Sequence, residues 1–182
     1  MGRLALTWKH IPLFLIIMIL TFIIHEAGHF LMGKLLGYEM FVSINKAGIT
    51  QRGTASADWH QTLMTLNGPI VTYAQAIIGL LIAHRYKTIR AFLIVFAAFT
   101  MRLMAAVISL FSPNDEYRVS EWLGLGAWTL PVIAVAGLLL LTLLTSRQLG
   151  LGWRSWLLAY LTSTLAITAV IFTERYWPVI VW

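Results

Sequence analysis

The chain has 182 residues, of which 59% are hydrophobic and 11% charged, with a net charge of +6 and no cysteine; its mean hydropathy is +0.81. Such a balance is too apolar and too sparsely charged for a soluble domain, and the scattered Lys and Arg at loop ends suit lipid headgroups rather than nucleic acid. Without cysteine there is no disulfide framework, thiolate metal site or thiol nucleophile, so any metal must be held by nitrogen and oxygen.

Five apolar stretches are long enough to be membrane-spanning helices: Ile11–Leu36, Leu63–Ala83, Ala91–Phe111, Trp128–Thr145 and Trp156–Phe172. The fold class expected is therefore an all-α polytopic membrane protein of about five transmembrane helices. The first stretch, preceded by Arg3 and Lys9, imitates a secretory signal, but no small-residue cleavage site follows, so it reads as a retained span. All eight tryptophans fall near the proposed span ends, as an interfacial belt requires.

The first span is interrupted by His25-Glu26-Ala27-Gly28-His29. Residues four apart share one helix face, so His25 and His29 can present two imidazole nitrogens to one metal ion. Glu26 is placed to act as general base toward the attacking water. Ionisable groups at membrane depth are costly and mark functional sites. Ala27 and Gly28 keep this turn slim, which lets a neighbouring backbone approach.

Between the first two spans, residues Tyr38–Ser56 contain the runs Phe41–Ile44 and Ile49–Thr50 around Asn45-Lys46-Ala47-Gly48, which predicts a β-hairpin. Its edge either accepts an extended substrate by strand addition or serves as a surface connector. The second span begins with Leu66-Asn67-Gly68-Pro69, where proline in a first turn loses no needed hydrogen bond. Asn67 either holds a substrate backbone or oxyanion, or caps the span.

A basic turn, His84 to Arg90, joins spans two and three. With Arg3, Lys9, Arg147 and Arg154 it puts more positive charge on the N-terminal side than Lys34, Lys46, Arg52, Arg118 and Arg175 put on the other, which leans toward a cytoplasmic N-terminus. Arg102, midway along the third span, needs a partner there: Glu26, Asp115, Glu116 or a wet cavity.

A catalytic zinc site takes a third protein ligand and leaves one position open. His10, His60, His84, Asp58, Asp115 and the glutamates are the candidates. The first and third spans run in the same direction, so Ser112-Pro113-Asn114-Asp115-Glu116 lies on the face toward which His25 and His29 are displaced. Pro113 breaks the helix near Ser112 and lets the chain turn back. Asp115 is the expected third ligand and Glu116 the runner-up; the alternative is a solvated loop in which both pair with Arg118.

The combination resembles the site-2 protease family of intramembrane zinc metallopeptidases over roughly residues 10–125. The matching residues are His25, Glu26 and His29, then Gly68-Pro69, then Asp115, although Glu116 stands where that family's aspartate is usually followed by glycine. The resemblance implies a three-helix core over residues 1–125 with two further spans over 126–182. It also implies a Zn²⁺ cofactor and cleavage of a transmembrane protein substrate, here expected in the plasma membrane of a prokaryote. A catalytically silent relative that binds partner helices, or a membrane metal carrier, are the other readings.

Overall fold

A computed structural model of the chain describes residues 4–50 and 55–182. Arg3 and Arg52 of the charge count, and residues 51–54 of the expected hairpin segment, lie outside the described residues. Six α-helices are present among the described residues: α1 (Ile11–Leu35), α2 (Asp58–Tyr86), α3 (Ile89–Ile108), α4 (Asp115–Trp122), α5 (Thr129–Leu149) and α6 (Trp153–Thr173). All but α4 are long and apolar enough to cross a membrane, giving five candidate spans among the described residues. The chain is therefore a multi-pass membrane protein.

Each span starts and stops for a local reason. Pro12 occupies the first turn of α1, where its missing N–H costs nothing. Thr88 caps α3 by accepting from the amide of Arg90. Lys87 and Gly150 close α2 and α5 in the left-handed conformation. Two spans differ from expectation. The helix α2 starts five residues early, so Pro69 is an interior residue of that helix rather than part of its first turn. The helix α3 ends at Ile108, short of Phe111, and just beyond it the Ser109 hydroxyl donates to the carbonyl of Ala105 and accepts the amide of Asn114.

The helices α1, α2 and α3 pack against one another, α5 lies on α2 and α3, and α6 lies on α1 and α3. Lipid offers no hydrophobic drive for helices to associate, so close packing and interhelical hydrogen bonds must hold them. The centre is aromatic: Phe14, Phe92 and Phe96 are buried, with Phe96 edge-on to Phe14 and to Trp156. Seven tryptophans are exposed, as an interfacial belt requires. Trp156 turns inward instead and donates its indole N–H to Ser146 Oγ at 2.7 Å. The Tyr73 hydroxyl ties α2 to the carbonyls of Ile133 and Ala134 on α5.

The hairpin is present as β1 (Met40–Val42) and β2 (Ala47–Ile49), paired antiparallel with Phe41 opposite Gly48. Its turn lies two residues earlier than the composition suggested. The amide of Ser43 donates to the carbonyl of Lys46 at 2.7 Å, which places Ala47 and Gly48 in a strand. Phe41 lays its ring over Gly48, where a Cβ would sit 2.9 Å from Phe41 Cε1. A third strand, β3 (Ile180–Val181), pairs antiparallel with β1, giving the order β2-β1-β3. Lys46 at the turn meets Glu174 at 2.8 Å. The segment after α6 therefore grips the hairpin at two points, and the outer edge of β2 carries no strand partner among the described residues.

Candidate metal centre

His25 is the fifteenth residue of α1, about 15 Å from that helix's C-terminal end at 1.5 Å per residue. Four residues on, His29 projects from the same face, and the two rings meet edge to face with centroids 4.7 Å apart. Room for them comes from the crossing of α1 and α2. A Cβ on Gly28 would lie 3.2 Å from Gly68 Cα, and a Cβ on Gly68 would come within 2.7 Å of His25 Cε1 and collide with the His29 ring. Two glycines thus bring backbone to backbone and leave the space between the helices to imidazole.

The orientation of each ring follows from its outer nitrogen. His29 Nδ1 lies 2.7 Å from the carbonyl of Met64, which can only accept, so Nδ1 carries the proton. His25 Nδ1 lies 3.0 Å from Thr72 Oγ1. The Thr72 hydroxyl donates its own proton to the carbonyl of Gly68 at 3.1 Å, so it accepts from His25. In the neutral rings both inner nitrogens are therefore bare lone pairs, and they face each other at 3.1 Å.

The third group is Asp115, at the start of α4. Its Oδ2 lies 3.2 Å from His25 Nε2 and 3.5 Å from His29 Nε2. With both rings neutral, three acceptors converge, an arrangement suited to holding a cation. Their separations of 3.1, 3.2 and 3.5 Å are close to the edges of a tetrahedron, since bonds of about 2.0–2.1 Å to a central ion set ligand atoms roughly 3.3 Å apart. His25, His29 and Asp115 form a buried group able to hold a metal ion.

The loop that delivers Asp115 is anchored to α3, with Asn114 Nδ2 donating to the carbonyl of Ala105 at 2.9 Å. Arg118 Nη2 holds Asp115 Oδ1 at 3.1 Å, and Arg102 Nη1 holds Oδ2 at 3.2 Å. Arg102 also reaches both oxygens of Glu116 at 3.2 Å. The alternative of a solvated acidic loop does not hold, although its Arg118–Asp115 pairing does: Asp115 and Glu116 are both buried because α4 folds back under α2 and α5.

A cavity of about 480 Å³ opens on this group. Glu26 lines it beside His25, and so do Ala47, Gly48 and Ile49 of β2. Ile167 and Ile171 of α6 line it too, so the last span shares the site with the first three. Asn67 is placed elsewhere. Its Nδ2 donates to the carbonyl of Gly28 at 2.7 Å, and it is not among the cavity residues. Neither a substrate-facing role nor a cap fits a side chain spent on the α1–α2 crossing, well inside α2. His60 is likewise occupied, with Nδ1 2.7 Å from the Tyr38 hydroxyl.

Sequence reasoning missed Thr72 and the carbonyl of Met64, which set the two tautomers. A signal for Thr72 existed, since it follows Gly68 by one turn on the same helix face. Partners of this kind typically contribute 10–100-fold to metal affinity. Thr72→Val, isosteric but without the hydroxyl, is expected to weaken metal binding by about that factor, and chelator competition measures it. An unchanged affinity would show that His25 needs no such partner.

Compared with known proteins, the chain matches no family model, no curated protein and no solved structure.

Proposed function

We propose that the chain is an intramembrane zinc metalloendopeptidase of the site-2 protease kind, acting on a transmembrane segment of another protein. The observation that carries this reading is the convergence of three ligand-type atoms, His25 Nε2, His29 Nε2 and Asp115 Oδ2, beside a buried carboxylate in a cavity. Two nitrogens and one oxygen, with no sulfur, fit the donor set of hydrolytic zinc. Zinc held there would act as a Lewis acid, polarising the scissile carbonyl and acidifying the attacking water.

The chain's own residues supply the rest. Glu26 takes the proton of the attacking water and passes it to the leaving amine. The outer edge of β2 offers backbone donors and acceptors to an extended segment, which fits a peptide locally unwound from helix. The buried arginine and carboxylates make this cavity polar enough to admit water to a hydrolytic site. The five candidate spans support a membrane location, and the plasma membrane of a prokaryote is part of the same proposal.

Metal analysis of the purified protein tests the reading. One zinc per chain is expected, falling to zero in His25→Ala and Asp115→Ala while the spans stay folded. A metal-free wild type that still binds no zinc on titration would remove the peptidase.

A further inference from the structure

Glu116 is the rival third ligand by sequence, yet its carboxylate is directed to Arg102. That guanidinium is nearly inaccessible, only 4% exposed, and sits on α3 within hydrogen-bond reach of two acidic side chains. A cation so close to a metal position would repel the metal unless its charge were cancelled. Both oxygens of Glu116 lie 3.2 Å from the same Nη1 that reaches Asp115 Oδ2. A carboxylate oxygen has lone pairs enough for one N–H and one metal, so Arg102 can hold Asp115 without displacing an ion from it. Arg118 fixes the other oxygen, Oδ1, at 3.1 Å. The carboxylate is therefore restrained at both ends, with its free lone pairs turned toward the two imidazoles.

We infer that Arg102 and Glu116 form a charge-neutral positioning pair that aims Asp115 at the metal, and that Glu116 is not itself a ligand. This rests on the metal reading of the site. Its distinctive consequence is non-additivity. Removing either partner leaves the other as an uncompensated buried charge beside the metal position, whereas removing both leaves neither.

The test is zinc affinity by chelator competition on the full-length protein, with the absorption spectrum of the cobalt-substituted form as a report on the ligand set. Arg102→Gln and Glu116→Gln are each expected to lose about 10–100-fold in affinity. The double variant should recover at least about tenfold over the product of the two single losses. The cobalt bands of Glu116→Gln should keep their wild-type positions, because the three ligands are unchanged. Arg102→Lys, which keeps the charge, should lose less than Arg102→Gln.

Shifted cobalt bands in Glu116→Gln, with a double variant no better than that single one, would make Glu116 a ligand and overturn the inference. Losses that simply multiply would overturn it as well. Should a single variant fail to fold, the double variant and Arg102→Lys still decide: a loss of about 10–100-fold in the double variant that exceeds the loss in Arg102→Lys supports the pair, and either wild-type affinity in the double variant or a loss as large as that of Asp115→Ala rejects it. A wild type that binds no zinc removes the metal reading itself, whereas zinc binding that ignores Arg102 and Glu116 removes only the pair.

Discussion

Glu26→Gln is expected to abolish peptide hydrolysis while leaving zinc bound at one ion per chain. The amide matches the carboxylate in size but cannot take a proton, so only the acid–base step is lost. General-base catalysis contributes about 10²–10⁴-fold to a rate, and the loss should fall in that range or beyond it. Glu26 is buried on the α1 turn that carries His25, it lines the metal-facing cavity, and it is not one of the converging ligand atoms. The measurement is cleavage of a membrane-embedded reporter in proteoliposomes, paired with metal content of the same sample. A variant that turned over at the wild-type rate would leave the cavity without its base and favour a binding scaffold. Loss of zinc together with activity would instead give Glu26 a role in holding the metal.

What was legible in the sequence depended on how local the physics was. The five spans follow from hydropathy and length alone, and the structure has them within a few residues. The pairing of His25 with His29 needed only the 3.6-residue turn. Asp115 could be brought near them by the parity of span directions, a topological argument that requires no distances. The helix α3 in fact ends at Ile108, before Pro113 is reached, and the bond from the Asn114 amide to Ser109 turns the chain back.

Long-range and two-partner features were not legible. The strand β3 is two residues long, and nothing in Ile180-Val181 distinguishes it from an apolar tail until β1 is beside it. Trp156 looked like one more interfacial tryptophan, because its inward turn depends on Ser146 and on the rings of Phe92 and Phe96 from other helices. Asn67 illustrates the same limit. A polar residue next to Gly68-Pro69 reads as a cap or a substrate contact only if the helix starts there. Because α2 starts at Asp58, Asn67 lies in its interior and its amide goes to the carbonyl of Gly28. Where a buried polar side chain points is fixed by which neighbour lacks a partner, and that is decided by packing.

The crossing that Asn67 secures is also where the smallest substitution should do the most harm. Gly68→Val is expected to lower zinc affinity by more than about 100-fold, beyond the usual effect of removing a supporting hydrogen bond. The Cβ alone would stand 2.7 Å from His25 Cε1 and would overlap the His29 ring. Neither ring can retreat, since His29 is tied to Met64 and His25 to Thr72, both on α2 itself. Moving α2 outward would relieve the clash but break the bond from Asn67 to Gly28 and carry the ring partners away with it. Overpacking of this kind typically costs about 1–3 kcal/mol, yet hydropathy is preserved, so the five spans should still insert. Gly152→Ala is the matched control: its backbone is extended and nothing lies within 4 Å of its Cβ position, so zinc binding should not change. Zinc titration of the two variants beside wild type makes the comparison. If Gly68→Val bound zinc as tightly as Gly152→Ala, the imidazoles would not be confined by the α1–α2 crossing, and the geometry assigned to the metal centre would have to be abandoned.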